Sequence, residues 1–425
     1  MKNIILIAVL GLICHSVQAQ EKLIKADAYL DTQSGQLIKP AHILIQGDKI
    51  TDINPEKIPE NVSIIDLKDQ ILLPGLMDMH THLDLDYNDG FGTIITNESA
   101  SKGAIRAAKN AEKTLMAGFT TVRNVGQVHI TDELIGAALS EAEQEGWIKS
   151  PRVVPAGHMI SITGGHADLS LGLSENLFEP EPKHGIVNGV ADAIKAVRYQ
   201  IKHGAKVIKM HATAGVMSLE DTVGAQQLSD AEMQAIVAEA KRHHMKVAAH
   251  AHGTEGIKAA IKAGVASIDH GSMLDEEGMR LMKKHHVFLV PTTGLVDFVM
   301  EGIDNNNPKI AAKAKYVLPL AKENLAKAIK SGVPIALGTD SPLIPHGQNA
   351  HELSAMMAQG MSALGAIQSA TINAAELLGV DDRGQIKVGM LADIIAVEEN
   401  PLENVKTLEA VTFVMKGGEV FKQPH

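Results

Sequence analysis

The sequence predicts an α/β protein, a (β/α)8 barrel of the TIM type with a small β-sandwich domain formed by both termini. Two observations carry this expectation. The middle of the chain alternates short apolar β runs with helix-patterned segments, the mark of βα units and a parallel sheet, and the runs number eight. They are Leu76–His82, Thr120–Val125, Arg152–Gly157, Ala205–Ala212, Lys246–His252, Ser267–Gly271, Val287–Pro291 and Pro334–Asp340. Both ends of the chain consist instead of short β runs broken by turn residues, which suggests one small module built from the two termini. The expected boundaries are 1–19 for a leader, 20–73 and 382–425 for the sandwich, and 74–381 for the barrel.

Taken in order, residues 1–19 begin with Lys2, run apolar from Ile4 to Ile13 and end Ser16-Val17-Gln18-Ala19, the pattern of a signal peptide cut after Ala19. The apolar run is too short for a transmembrane anchor, so a periplasmic or secreted protein is expected. Ala41–Ile45 before Gly47-Asp48, and Val62–Ile65, are the clearest N-terminal strands. Within the barrel, Ser229-Asp230-Ala231-Glu232 reads as a capping box, and Gly264 and Gly332 sit where helix C-caps belong. A helical stretch Ala363–Leu378 closed by Gly379 leads back to β runs at Ala392–Val397 and Val411–Met415.

Composition narrows the function. With 45% hydrophobic and 21% charged residues, the 425-residue chain can bury a large core. A net charge of −11 disfavours nucleic acid, and seven Phe, one Trp and four Tyr are too few to pave a long stacking groove. Twenty His stand against one Cys, Cys14, which leaves with the leader. The mature chain therefore has no disulfide, no thiol nucleophile and no thiolate metal ligand.

In a barrel, chemistry collects at the C-terminal ends of the strands. The first run ends His80-Thr81-His82, whose alternate imidazoles fall on one side. The fourth carries Lys209, the fifth ends His250-Ala251-His252, the sixth Asp269-His270-Gly271, and the eighth Gly338-Thr339-Asp340-Ser341. Singly, each has a structural explanation: Asp340 as a helix N-cap, Lys209 reaching the surface, Asp269 steadying a neighbour, His252 packing. Together, imidazoles and a carboxylate converging on one pole point to a divalent metal centre, for which zinc is well suited.

The text Pro74-Gly75-Leu76-Met77-Asp78-Met79-His80-Thr81-His82 resembles the first metal motif of the amidohydrolase superfamily. Gly118–Arg123, Val207-Ile208-Lys209, Ala248–Gly253, Ser267–Gly271 and Gly338–Ser341 are similar to its branch containing imidazolonepropionase-like enzymes and Xaa-Pro or Xaa-Arg dipeptidases. The resemblance runs from about Ile24 to Lys422. It implies two divalent ions, normally zinc, with Lys209 carboxylated by CO2 and bridging them. His80, His82 and Asp340 would hold the more buried ion, and His250 with His270 the more exposed one. A hydroxide shared by the ions would attack the scissile carbonyl, and Asp340 would carry its proton to the leaving amine.

The expected substrate is a small molecule, a dipeptide or an N-acyl amino acid. His166 and His252 are candidates for orienting it, and Arg123, His166 and His211 for receiving its free carboxylate. Dipeptidase relatives often carry Tyr where Leu228 stands, and Leu228 with Val216-Met217 would suit a bulky aroyl group, as in ochratoxin-type amides. A cyclic amide, as in imidazolonepropionase, is a further alternative. Relatives commonly form homo-oligomers. A two-lobed solute-binding protein does not explain ligands on five strands, and a Schiff-base aldolase using Lys209 would need that lysine unligated.

Overall fold

The computed structural model describes residues 21–86, 91–174 and 176–424. The expected leader, 1–19, lies outside them. Two parallel sheets form the centre. One pairs Leu76–Thr81 with Phe119–Asn124 and that strand with Arg152–Pro155. The other runs Ile208–His211, Val247–Ala251, Ser267–His270 and Phe288–Val290 in spatial order. Single parallel bridges at Thr81↔Ser341, Leu289↔Ile335 and Ile160↔Met210 join their edges.

Helices between successive strands bury apolar stripes against these sheets. Asp230–Arg242 begins at the expected capping box: Ser229 Oγ accepts from the Glu232 amide, and the Glu232 carboxylate accepts from the Ser229 amide. Its Met233 and Ile236 join Ile208, Met210, Ala249, Ile268 and Leu289 in the largest apolar cluster. Gly264 and Gly332 close their helices in the left-handed conformation.

The eighth run forms no regular strand. Only Ile335 and Ser341 bridge, because the Thr339 hydroxyl turns to Asp78 and Asp340 has φ 57°, a reversal that ends extended backbone. Gly338 permits its close pass, since a Cβ there would lie 2.3 Å from Val290 and 2.9 Å from His80 Cβ. The expected helix Ala363–Leu378 is two helices, Ala363–Ser369 and Ile372–Leu378. The break follows from the carbonyls of Ser369 and Ala370, which accept from the amides of Leu337 and Met77 instead of continuing the helix.

Strands from both ends of the chain share one sheet. A six-stranded sheet orders Glu419–Lys422, Phe413–Lys416, Ile394–Val397, Ile71–Pro74, Ala28–Asp31 and Gln36–Ile38. A four-stranded sheet contains Lys49–Ile53, Ala41–Gln46, Lys22–Ala26 and Ser63–Asp66. Ile24, Ile43 and Ile45 of the second pack with Leu72, Ile394, Phe413 and Met415 of the first in one buried cluster. Gly75 alone separates Ile71–Pro74 from the first central strand.

Candidate metal centre

The expected ligands gather where the parallel strands end. His80 Nε2 lies 3.2 Å and His82 Nε2 3.3 Å from the same Asp340 oxygen. His80, His270 and Asp340 each present a ligand atom within 4.8 Å of the others. The strands bring this about by register, since Thr81 bridges Ser341 and the Asp340 amide donates to the His80 carbonyl. Burial alone would raise the Asp340 carboxyl, but the His80, His82 and His270 imidazoles outweigh it and hold it well below the usual carboxylate range.

Three non-glycine residues here adopt left-handed backbone: His270 at φ 72°, Thr292 at φ 50° and Asp340 at φ 57°. Such conformations cost about 1–3 kcal/mol each and persist where the surroundings enforce them. One link is visible, His270 Nδ1 to Thr292 Oγ1 at 2.9 Å.

Lys209 is fully buried, and its Nζ lies 2.6 Å from Asp269 Oδ2. Burial depresses the amine, and the Asp269 carboxylate only partly restores it. Asp269 also accepts from Arg123 Nη2 at 3.1 Å and Ser267 Oγ at 2.8 Å, and sits 3.0 Å from His80 Nδ1. A carboxylate behind a metal-facing imidazole fixes its ring and tautomer.

Arg123, expected as a receiver of the substrate carboxylate, is instead beneath the site. Arg123 is 1% exposed, and its guanidinium donates to the Met79 carbonyl, Ser267 Oγ and Asp269. Leu228, expected against a substrate group, is wholly within the main core. Val216 and Met217 do share an apolar cluster with Leu295, Val299, Phe298 and Leu343, from segments that follow the strands Ile208–His211 and Phe288–Val290 and the turn bearing Asp340.

The other imidazoles form a second group. His166, His211 and His250 offer ring nitrogens within 4.8 Å of one another. His252 Nδ1 pairs with Ser272 Oγ at 2.8 Å, its ring stacks on His270 at 5.0 Å, and burial pulls it down to about 3. Burial, reinforced by surrounding positive groups, holds His211 and His250 well below the usual imidazole range. Both ring nitrogens of His211 and Nε2 of His250 are buried without a hydrogen-bond partner. Unpaired buried nitrogens are rare in folded proteins, and neutral imidazoles with free lone pairs are the donors a divalent ion takes.

Sequence reasoning missed Thr292, Ser272, Asp78 and Asn349. Asp78 accepts from the His80 amide, Thr339 Oγ1 and Asn349 Nδ2, tying the first strand to the eighth run. Position at a strand end was a signal for Thr292 and Ser272; nothing local marks Asn349.

This constellation defines a metal-dependent hydrolase acting on carbon–nitrogen bonds. The chain belongs to the amidohydrolase family, whose model matches residues 71–421. It is 38% identical to ochratoxinase of Aspergillus niger over 378 residues, 83% of this chain and 76% of that protein. Among solved structures, it is similar to a Xaa-Pro dipeptidase with methionine bound in its active site, with TM-score 0.90 and 39% identity over 95% of this chain and all of the other. A prolidase complexed with N-methylphosphonate-L-proline gives TM-score 0.86 and 30% identity, covering 95% of this chain and all of that one.

Proposed function

We propose that this chain is an exported, two-metal amidohydrolase that cleaves dipeptides or N-acyl amino acids, in the manner of a dipeptidase or carboxypeptidase. The observation that carries the reading is the meeting of His80, His82, His270 and Asp340 in a chain similar to a Xaa-Pro dipeptidase. Export rests on the sequence of residues 1–19. The bridged parallel sheets support one closed barrel over 74–381, and the shared apolar cluster supports a sandwich of 20–73 with 382–425.

His80, His82 and Asp340 would hold one divalent ion, with zinc favoured by this nitrogen and oxygen donor set. Such an ion supplies a Lewis acid and lowers the pKa of water from 15.7 to about 7. Asp340, ionised at neutral pH, takes the proton of the attacking water on its carboxylate and returns it to the leaving nitrogen. Asp269 keeps the His80 ring aligned. His252, neutral and braced by Ser272, presents its remaining nitrogen to the substrate. The resemblance implies a carbamate on Lys209; forming it here would require the Lys209–Asp269 pair to open, since two anions would otherwise share a buried site.

A second reading, hydrolysis of bulky N-aroyl amino acids, is favoured by the apolar cluster of Val216, Met217, Phe298 and Leu343, and by the similarity to ochratoxinase. The experiment is a panel of dipeptides, N-acyl and N-aroyl amino acids offered to zinc-loaded protein, scored by amine release. Turnover that chelation abolishes and zinc restores is expected, and the preferred acyl group separates the two readings. Full turnover by metal-free protein would overturn both.

A further inference from the structure

We propose that Asn349 and Glu352 are positioning residues for the metal centre, two side chains on one turn that steady the two ion sites separately. Asn349 steadies the set His80, His82 and Asp340, and Glu352 steadies the imidazole of His270. The proposal rests on the reading of the chain as a two-metal hydrolase, with His270 on the second ion as the resemblance implies.

The turn is itself well anchored. The Glu352 amide donates to the Asn349 carbonyl at 3.2 Å and the Leu353 amide to that of Ala350 at 3.0 Å, opening the helix His351–Ala358. Leu353 and Met356 of that helix are wholly buried in the main core. Residues three apart around such a turn share a face, and Asn349 and Glu352 are both fully buried.

Glu352 grips the segment that follows the strand Phe288–Val290. Its two carboxylate oxygens accept from the amides of Thr293 and Gly294, at 2.8 and 2.5 Å. A buried carboxylate is costly unless it is bonded, and these amides are its partners. Residue 294 has to be glycine for so close an approach, since a Cβ there would lie 2.9 Å from Glu352 Oε2 and equally close to the Ile344 side chain. What is gripped is strained. Thr292 is β-branched yet has φ 50°, a conformation such residues avoid and one that persists only where the surroundings enforce it. Holding the two amides that follow supplies that constraint. The beneficiary is His270, whose Nδ1 lies 2.9 Å from Thr292 Oγ1. A hydroxyl behind a ligating imidazole sets the ring and leaves Nε2 for the ion.

Asn349 works on the first strand and the eighth run. Its Nδ2 donates to Asp78 Oδ2 at 2.8 Å, and its Oδ1 accepts from the Gly347 amide at 3.1 Å. Asp78 passes the constraint on in two directions. Along its own strand it accepts from the His80 amide at 3.0 Å, and across to the eighth run from the Thr339 amide at 3.2 Å and the Thr339 hydroxyl at 2.6 Å. Asp340, with φ 57°, stands between Thr339 and Ser341, and Asn349 Nδ2 lies 3.4 Å from Ser341 Oγ. Two of the left-handed residues at the pole, Thr292 and Asp340, are thus steadied from one turn. Two ions that share one water need a fixed separation, and ligand sets hung on a common turn keep it better than sets on independent loops.

The test is Co2+ titration of metal-stripped, full-length protein, read by metal content after dialysis and by visible absorption, with circular-dichroism melts to confirm folding. The parent is expected to bind two equivalents, one lost in His82→Gln and the other in His270→Gln. Glu352→Gln, in which one acceptor becomes a donor facing an amide, should weaken only the ion lost in His270→Gln, by about 10-fold or more. Thr292→Val should weaken the same ion, and combining it with Glu352→Gln should add little, because the two act along one path. Asn349→Ala should weaken only the ion lost in His82→Gln. A role in folding alone would lower the melting temperature and leave both affinities at the parent value. That result overturns the proposal and leaves the hydrolase reading intact, as do losses in Glu352→Gln and Thr292→Val that simply add. Should Glu352→Gln not fold, Thr292→Val and Asn349→Ala decide, and parent affinity for both ions in either variant overturns the proposal. A parent that binds fewer than two ions overturns the two-metal reading and the proposal with it.

Discussion

The two-sheet module at the termini and the pole where the central strands end solve opposite problems. In the module, Ile24, Ile43, Leu72, Ile394 and Phe413 fill a buried, predominantly aliphatic and aromatic cluster on extended backbone. At the pole, buried carboxylates, a lysine and several imidazoles crowd together, and three residues occupy left-handed backbone. One region gains stability by burying apolar side chains, and its left-handed residues Asn54, Asn61 and Lys68 lie outside that cluster. The other gives up stability to hold chemistry in place, as functional sites commonly do.

The sharpest way to break this contrast is Asp340→Asn. Asn tolerates φ 57° and keeps the volume, so melting should change by no more than a few degrees. Loss of the proton acceptor should lower kcat/KM by about 10³-fold or more, measured on the best substrate of the panel. The mirror experiment is Phe413→Ala. Truncating a fully buried aromatic should remove about 3–5 kcal/mol in urea unfolding, with kcat per folded molecule unchanged. If either variant moves both readouts strongly, the separation between the regions fails.

A third measurement asks which buried imidazoles weaken the fold in acid. Burial first, then neighbouring positive groups, bring His158 and His346 down to about 4. The unfolded chain takes these protons near 6.5 and the folded one only near 4, so stability falls as pH drops from 6.5 to 4 and levels off below. Each should contribute a slope of about 1.4 kcal/mol per pH unit within that window. Urea midpoints against pH should show it, and His346→Asn should flatten it.

The smallest expected effect tests the seam. Arg152, on a central strand, pairs with the nearly buried Asp393 of the terminal module at 2.5 Å. Arg152→Ala should cost about 1–2 kcal/mol, while calorimetry still shows one transition. A split into two transitions would show the regions to be independent units.

These differences also track what could be read from residues alone. The module and the first seven central runs were legible because apolar periodicity and turn residues report directly on strands, and strand ends named His80, His82, His250, His270 and Asp340. The eighth run misled because its apolar text looks like a strand, whereas its geometry is set by Asp78 and Asn349, partners distant in sequence. Arg123 was misjudged for the same reason: nothing local announces that Ser267 and Asp269, 144 and 146 residues later, will claim it. The proximity of His166 to His211 and His250 depends on a loop closing over two strands, which no periodicity encodes.

Pairing of Ile71–Pro74 with Ile394–Val397 has a topological consequence. These antiparallel strands clasp the two ends of a loop of roughly 320 residues, which contains all the central strands and every candidate ligand. Closing a flexible loop of that length costs about 5 kcal/mol of chain entropy by the logarithmic loop law. Once the clasp has formed, that cost is already met for every contact inside the loop. The terminal module thus acts as a non-covalent cross-link, doing with hydrogen bonds and aliphatic packing what a disulfide would do in a chain that had cysteines there.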